Sequence, residues 1–201
     1  MSDTVSTMLE KYVFADFEAS GLHPMSFPIE VAWSINGSEP ESHLINPKGV
    51  NHWEHWDFNA ELLHGITQEL LATEGEDPKA IARRMNEALE GKTLLTTAIG
   101  FDDFWCGELF EVADEPMLFR FLDVKTFCVE HLVSETGKES GEMESLFFKL
   151  NEVARKEMNG ARHRASSDVT QLNLLWGKVQ SKAASLKKAA SLKLSNNKMG
   201  M

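Results

Sequence analysis

Apolar and polar positions alternate along residues 11–19 (KYVFADFEA). Tyr12, Phe14, Asp16 and Glu18 project to one side and Val13, Ala15, Phe17 and Ala19 to the other, the period of a strand. Turn formers Gly21, His23 and Pro24 follow, and residues 27–35 (FPIEVAWSI) read as a second strand. Asn36-Gly37 is a hairpin signal, because both residues tolerate the positive φ of the tight turn, and it leads to a third strand over 42–46. Residues 47–76 carry little periodicity and are expected to form a long connection with one short helix near 60–64. Asp77-Pro78 supplies an N-cap acid and a first-turn proline, Ile81, Met85, Ala88 and Leu89 form an apolar stripe, and Gly91 stops the helix. A buried strand over 93–99, an aromatic helix over 102–112 and a fifth strand over 118–124 follow. Helices are expected over 126–134 and 142–158, with a last one from 166 to 177 or beyond. A three-strand meander succeeded by alternating helix and strand predicts an α/β chain with a mixed five-stranded sheet.

The composition adds little to that picture except through charge. The chain has 201 residues, 42% hydrophobic and 25% charged, which excludes fibrous and wholly disordered classes. Cys106 and Cys128 are too few for a disulfide scaffold or a thiolate metal cage. The first residues lack the basic and apolar regions of a signal peptide, and no run of apolar residues is long enough to cross a bilayer, so the expectation is a cytoplasmic protein without a membrane partner. The net charge of −11 is uneven: residues 169–201 hold six lysines and no acid, leaving −17 on residues 1–168. So acidic a body argues against non-specific adhesion to phosphate backbones but not against a site where carboxylates hold divalent cations, since the metals invert the local sign.

The lysines fall largely in a low-complexity segment, where KAASLK at 182–187 is repeated at 188–193. A domain over 1–180 with a lysine-rich tail over 181–201 is the expected organisation. The tail reads either as a frayed solubilising extension or as an electrostatic tether for nucleic acid or an acidic partner.

Asp16 and Glu18 are the first candidates for chemistry. Two residues apart on one strand, they place both carboxylates on one face, which is costly unless that face is wet or a cation sits between them. A metal site requires further acids at the ends of neighbouring elements. Asp102, where a helix follows a buried strand, and Asp168, on the apolar side of the last helix with Leu172 and Leu175, are available.

These residues carry a resemblance. Asp16/Glu18 in FADFEASGL, Phe101/Asp102, and His163 five residues before Asp168 resemble, in order and spacing, the three motifs of the DEDDh 3′–5′ exonucleases, a group that includes proofreading exonucleases, ribonuclease T and oligoribonuclease. PIEVAW (28–33) is similar to that family's second strand and LLHGIT (62–67) to its nucleotide-contacting loop, so the resemblance spans about residues 10–177. It departs from the family at Ala98, where an asparagine often stands, and it offers two aspartates, Asp102 and Asp103, of which Asp102 follows Phe101 as the family's does.

The resemblance implies a ribonuclease H-like fold and hydrolysis of phosphodiester bonds from the 3′ end of single-stranded DNA or RNA, releasing nucleoside 5′-monophosphates. It implies that Asp16 bridges two divalent cations, that Glu18 and Asp168 complete the shell of one, and that Asp102 holds the other; oxygen-only ligands suit Mg²⁺ or Mn²⁺. His163 would be the general base, as an imidazole titrates near neutrality. Ser20, Gly21 and Leu22, together with His64 and Phe101, would contact the terminal nucleotide. The alternative is a catalytically weak nucleic-acid-binding or interaction module on the same fold. Arg155, Lys156, Arg162 and Arg164 form a basic cluster that reads equally as phosphate contacts or as a solvated face. His52, Glu54 and His55 in NHWEHW have a zinc-like spacing without a second ligand pair, and packing of Trp53 and Trp56 is the favoured reading there. Neither the oligomeric state nor a choice between DNA and RNA is legible.

Overall fold

The computed structural model describes residues 12–158 and 163–199, with side chains described as far as Leu192. Lys11 and Arg162 lie outside the described residues, as do the side chains of Lys193 and Lys198. The chain divides into two compact units, one of residues 1–123 with 161–170 and one of residues 124–160 with 171–201.

The first unit is built on a mixed sheet of five strands in the order β3-β2-β1-β4-β5. β1 (Tyr12–Ala19) lies at its centre, antiparallel to β2 (Pro28–Ile35), which is antiparallel to β3 (Glu41–Leu44); β4 (Thr93–Thr96) and β5 (Arg120–Asp123) continue on the other side in parallel. The predicted meander plus two parallel strands is the observed sheet. Asn36 and Gly37 adopt φ of 55° and 73°, the left-handed pair that a tight hairpin requires. Val13, Ala15, Phe17 and Ala19 of β1 enter the hydrophobic core, while Asp16 and Glu18 on the opposite face are half-buried. The β1–β2 register shifts between Glu18 and Ala19, an irregularity directly after the second acid, beyond which Ala19 pairs with Pro28.

Helix α1 (Phe58–His64) starts at Asp57, whose carboxylate accepts the Asn59 N–H, and stops at Gly65 in the left-handed region. A helix the sequence pattern did not predict, α2 (Gln68–Glu74), is capped by the Thr67 hydroxyl, which accepts the Leu70 N–H. α3 (Pro78–Leu89) has the expected Asp77 cap and buries Ile81, Met85 and Leu89. β4 ends three residues earlier than expected, and α4 (Ile99–Ala113) begins correspondingly early. The reason is visible in the bonding: the Ala98 carbonyl accepts the N–H groups of Phe101 and Asp102, closing the first turn before Asp102 rather than after it.

The second unit contains α5 (Val124–Thr136), α6 (Ser140–Glu157) and all but the first six residues of α7 (Ala165–Met199). α7 runs unbroken through the KAASLK repeats. Within this unit Val179 and Ala183, four residues apart, are buried, Trp176 packs on Phe127 and His131, Lys178 pairs with Glu157 at 2.7 Å, and Lys187 pairs with Glu135 at 2.9 Å. Among the described residues no helix is long and apolar enough to cross a membrane.

Candidate metal centre

Strand alternation sends Asp16 and Glu18 out on one face of β1, and the first turn of α7 supplies Asp168. Carboxylate oxygens of these three residues lie within 4.8 Å of one another, the one group of potential metal ligands found among the described residues. Asp102, in the first turn of α4, stands outside that group but close enough to act on it. It is 1% exposed, and its charge raises the pKa of Asp16. Asp103, one residue on, is exposed.

Four acids gathered in this way repel one another. Asp16 is pushed well above the usual carboxylate range, first by burial and then by Asp102, Asp168, Glu18 and Glu30. Glu18 rises to about 8, again through burial first and then Asp168 and Glu30, with Arg164 the opposing influence. Asp102 rises to about 7 because of burial, opposed by Thr96 and the backbone N–H groups of Ala98 and Phe17. Thr96 approaches Asp102 closely enough to influence it but not in good hydrogen-bond geometry. Oδ2 of Asp102 and Oγ1 of Thr96 are both buried and unsatisfied. Unsatisfied buried oxygen and mutual repulsion are what a divalent cation relieves, and an all-oxygen donor set suits a hard ion such as Mg²⁺ or Mn²⁺. The residues present therefore fit the metal that the resemblance implies.

The remaining predicted residues occupy varied positions. His163 is exposed, one residue before Arg164. Ser20 is buried, its hydroxyl accepting the Phe27 N–H. A Cβ on Gly21 would meet Asp57 Cβ at 3.0 Å, His55 Cε1 at 3.2 Å and Ser26 Oγ at 3.2 Å, so a side chain there would have to displace these neighbours by a few tenths of an ångström. Leu22 is 72% exposed and Phe101 47% exposed, the latter stacked on Trp105. Because β1 and β4 are adjacent and parallel, the segments following them leave the sheet at the same, C-terminal end of these strands, which is where Leu22 and Phe101 fall. His64 is 2% exposed; its Nδ1 accepts the Ile66 N–H, so Nε2 carries the proton, and burial lowers its pKa. His64 faces the interior rather than an open surface.

The NHWEHW segment does not converge on a metal. His55 stacks on His23 at 4.6 Å, His52 lies 3.7 Å from Glu108, and Trp53 is buried against Phe27. Within the basic cluster, Arg155 and Lys156 are exposed on α6, whereas Arg164 is one-third exposed and pairs with Glu30 through Nε and Nη2. Glu30, fully buried in PIEVAW, was not singled out from the sequence; an acid in the middle of an otherwise apolar strand was the signal for it.

No protein-family model matches the sequence, and no curated protein does. Among solved structures, the chain is similar to E. coli exonuclease I in a zinc-bound complex with single-stranded DNA, at 20% identity and a TM-score of 0.61, covering 89% of this chain and 42% of that one. A complex of E. coli exonuclease I with a dA16 oligonucleotide gives 19% identity, a TM-score of 0.63 and the same coverage. A product-bound exonuclease I gives 19% identity and a TM-score of 0.59 over 89% of this chain and 45% of that one. This chain thus spans less than half the length of each of these exonuclease I chains. At this identity the likeness is one of fold, and it agrees with the motif resemblance: the chain carries the ribonuclease H-like fold found in exonuclease I.

Proposed function

We propose that this chain is a metal-dependent 3′–5′ exonuclease acting on single-stranded nucleic acid or short oligonucleotides and releasing nucleoside 5′-monophosphates. The observation that carries the reading is the approach of Asp16, Glu18 and Asp168 to within 4.8 Å, with buried Asp102, its Oδ2 unsatisfied, acting on Asp16, on a fold shared with a nuclease. Asp16, Glu18 and Asp168 would hold one divalent cation, and Asp16 with Asp102 a second, Mg²⁺ or Mn²⁺. Bound there, the ions supply Lewis acidity at the phosphoryl oxygens and neutralise developing charge. The chain's own residues do the rest. His163 accepts a proton from the attacking water on a ring nitrogen. Leu22 and Phe101, large apolar side chains left exposed past the C-terminal ends of β1 and β4, meet the terminal base. Ser20 and Gly21 carry the chain from β1 to Leu22, and buried His64 acts on Ala19 at the end of β1.

Residues 1–180 would constitute the catalytic part, with the lysine-rich segment 181–201 appended, and the cytoplasm is the proposed location. The test is degradation of 3′- and 5′-labelled single-stranded DNA and RNA, side by side, with Mg²⁺ or Mn²⁺ and with Asp16→Asn as control. Stepwise loss from the 3′ end with mononucleotide products supports the reading. Binding without cleavage under all these conditions would replace it with the interaction-module alternative.

A further inference from the structure

Glu30 occupies a central position in the sheet with no exposure to solvent, and its carboxylate is completely engaged. Arg164 donates from Nε to Oε2 at 2.9 Å and from Nη2 to Oε1 at 2.6 Å; the Ala165 backbone N–H donates to Oε2 at 2.9 Å, and the Ser42 hydroxyl donates to Oε1 at 3.1 Å. With every favourable acceptor position used, Glu30 has no lone pair left for a metal ion. It is the buried acid of this neighbourhood that is neutralised within the protein, and so it differs in kind from Asp16, Glu18 and Asp102.

What Glu30 grips is the start of α7. Arg164 precedes the helix, and its carbonyl accepts the N–H groups of Ser167 at 2.8 Å and Asp168 at 3.0 Å. Three of the four bonds to Glu30 thus come from Arg164 and Ala165, and Asp168 follows one turn later. At its other end the clamp is rooted in β2, where Glu30 stands directly across the ladder from Glu18. One ion pair therefore ties the helix that carries Asp168 to the strand beside the one that carries Asp16 and Glu18. Buried ion pairs are often no more stabilising than apolar residues of similar volume, so stability alone gives no reason for this one. A bidentate fork fixes orientation as well as distance.

We infer that Glu30 and Arg164 form a positioning pair that presets Asp168 against Asp16 and Glu18 and thereby sets the affinity of the site for a divalent cation. This rests on reading the acidic triad as a metal site; neither residue is a ligand, and each acts through Asp168.

The test is calorimetric titration of Mn²⁺ into the full chain and into Glu30→Gln, Arg164→Gln and the double variant, with amide exchange across 165–168 followed in parallel. Loss of a partner that orients a ligand typically costs 10–100-fold in metal affinity, so each single variant should weaken the Mn²⁺ Kd by roughly that factor and speed exchange at the start of α7. The double variant should be no more than about threefold worse than the weaker single one, because the two residues act as a unit. Arg164→Lys keeps the charge but loses the fork, and it serves if Glu30→Gln does not fold; it should also weaken Mn²⁺ binding. Wild-type Kd in Glu30→Gln or Arg164→Lys, or additive losses in the double variant, would overturn the inference. A wild-type chain that binds Mn²⁺ but cleaves nothing would sink the exonuclease reading alone, and the clamp is then decided by the variants' Kd. A wild-type chain that binds no Mn²⁺ would overturn both.

Discussion

Glu18 and Glu30 face each other across the antiparallel β1–β2 ladder, and Arg164 forks onto Glu30 alone. Two carboxylates at opposed positions on one face of a sheet repel. The chain resolves the conflict unequally: Glu30 receives an internal cation, whereas Glu18 is left with a pKa of about 8. On the proposed reading, that asymmetry separates a structural acid from one that would receive a cation from solution.

The metal-free chain should consequently lose stability as pH rises. Unfolded carboxyls titrate near pH 4. In the fold Asp102 is raised to about 7, Glu18 to about 8, and Asp16 is raised as well. Between those limits the folded state holds more protons than the unfolded one, so unfolding free energy falls with pH across the window and levels off above it. With EDTA present, Tm should decline from pH 5.5 to pH 8.5. Mn²⁺ should raise Tm more at pH 8.5 than at pH 5.5, because it binds only the deprotonated carboxylates. A Tm independent of pH in EDTA would contradict the picture of a repulsive, metal-seeking cluster.

The adjacent aspartates provide a second expectation. Asp102 is buried with an unsatisfied oxygen and acts on Asp16, while Asp103 is exposed. Asp102→Asn should reduce exonuclease turnover by orders of magnitude, as should Asp16→Asn, and Asp103→Asn should leave it close to wild type. Rate constants measured on one labelled oligonucleotide decide the matter; the opposite ranking would transfer the role to Asp103.

His163 differs from the acids in being solvent-exposed at the start of α7. His163→Ala should lower kcat roughly 10²–10⁴-fold, the usual range for a general base. Its Mn²⁺ Kd should remain that of wild type, since no ligand is lost. A parallel loss of metal affinity would show that the imidazole supports the acids rather than the proton transfer.

The parts of the fold legible in the sequence were those in which local pattern and tertiary environment agree. Alternation in β1 placed Asp16 and Glu18 on the face opposite Val13, Ala15 and Phe17, and the structure has them there. Asn36-Gly37 and Asp77-Pro78 carried their turn and cap chemistry openly. Glu30 was illegible because its meaning depends on Arg164, 134 residues away, and an isolated sequence window cannot distinguish a paired buried acid from an interrupted strand. α2 was missed for a smaller reason: seven residues give too few turns for a period to emerge, although Thr67 was a serviceable cap. The KAASLK segment has a six-residue repeat that obscures its helical face, and Val179 and Ala183 reveal that face only through burial within the second unit.

That burial determines how the lysine-rich segment should be tested. Cutting at residue 181 would remove buried Ala183 and the Lys187–Glu135 pair, so any defect would mix substrate attraction with impaired packing. Lys182 and Lys188 are exposed, which makes them suitable sites for charge removal without disturbing the helix. Against a body carrying −17, cations on α7 would raise the local concentration of a polyanionic substrate without shaping the site. Lys182→Gln combined with Lys188→Gln should therefore raise KM on a single-stranded oligonucleotide and leave kcat and Tm unchanged. The dependence of binding on salt should flatten by about 0.7 in log–log slope for each lysine that no longer neutralises a phosphate. Binding and KM measured at two salt concentrations provide the check. Identical slopes for wild type and variant would mean that these lysines only solubilise the helix, and attraction of substrate would then have to come from elsewhere on the chain.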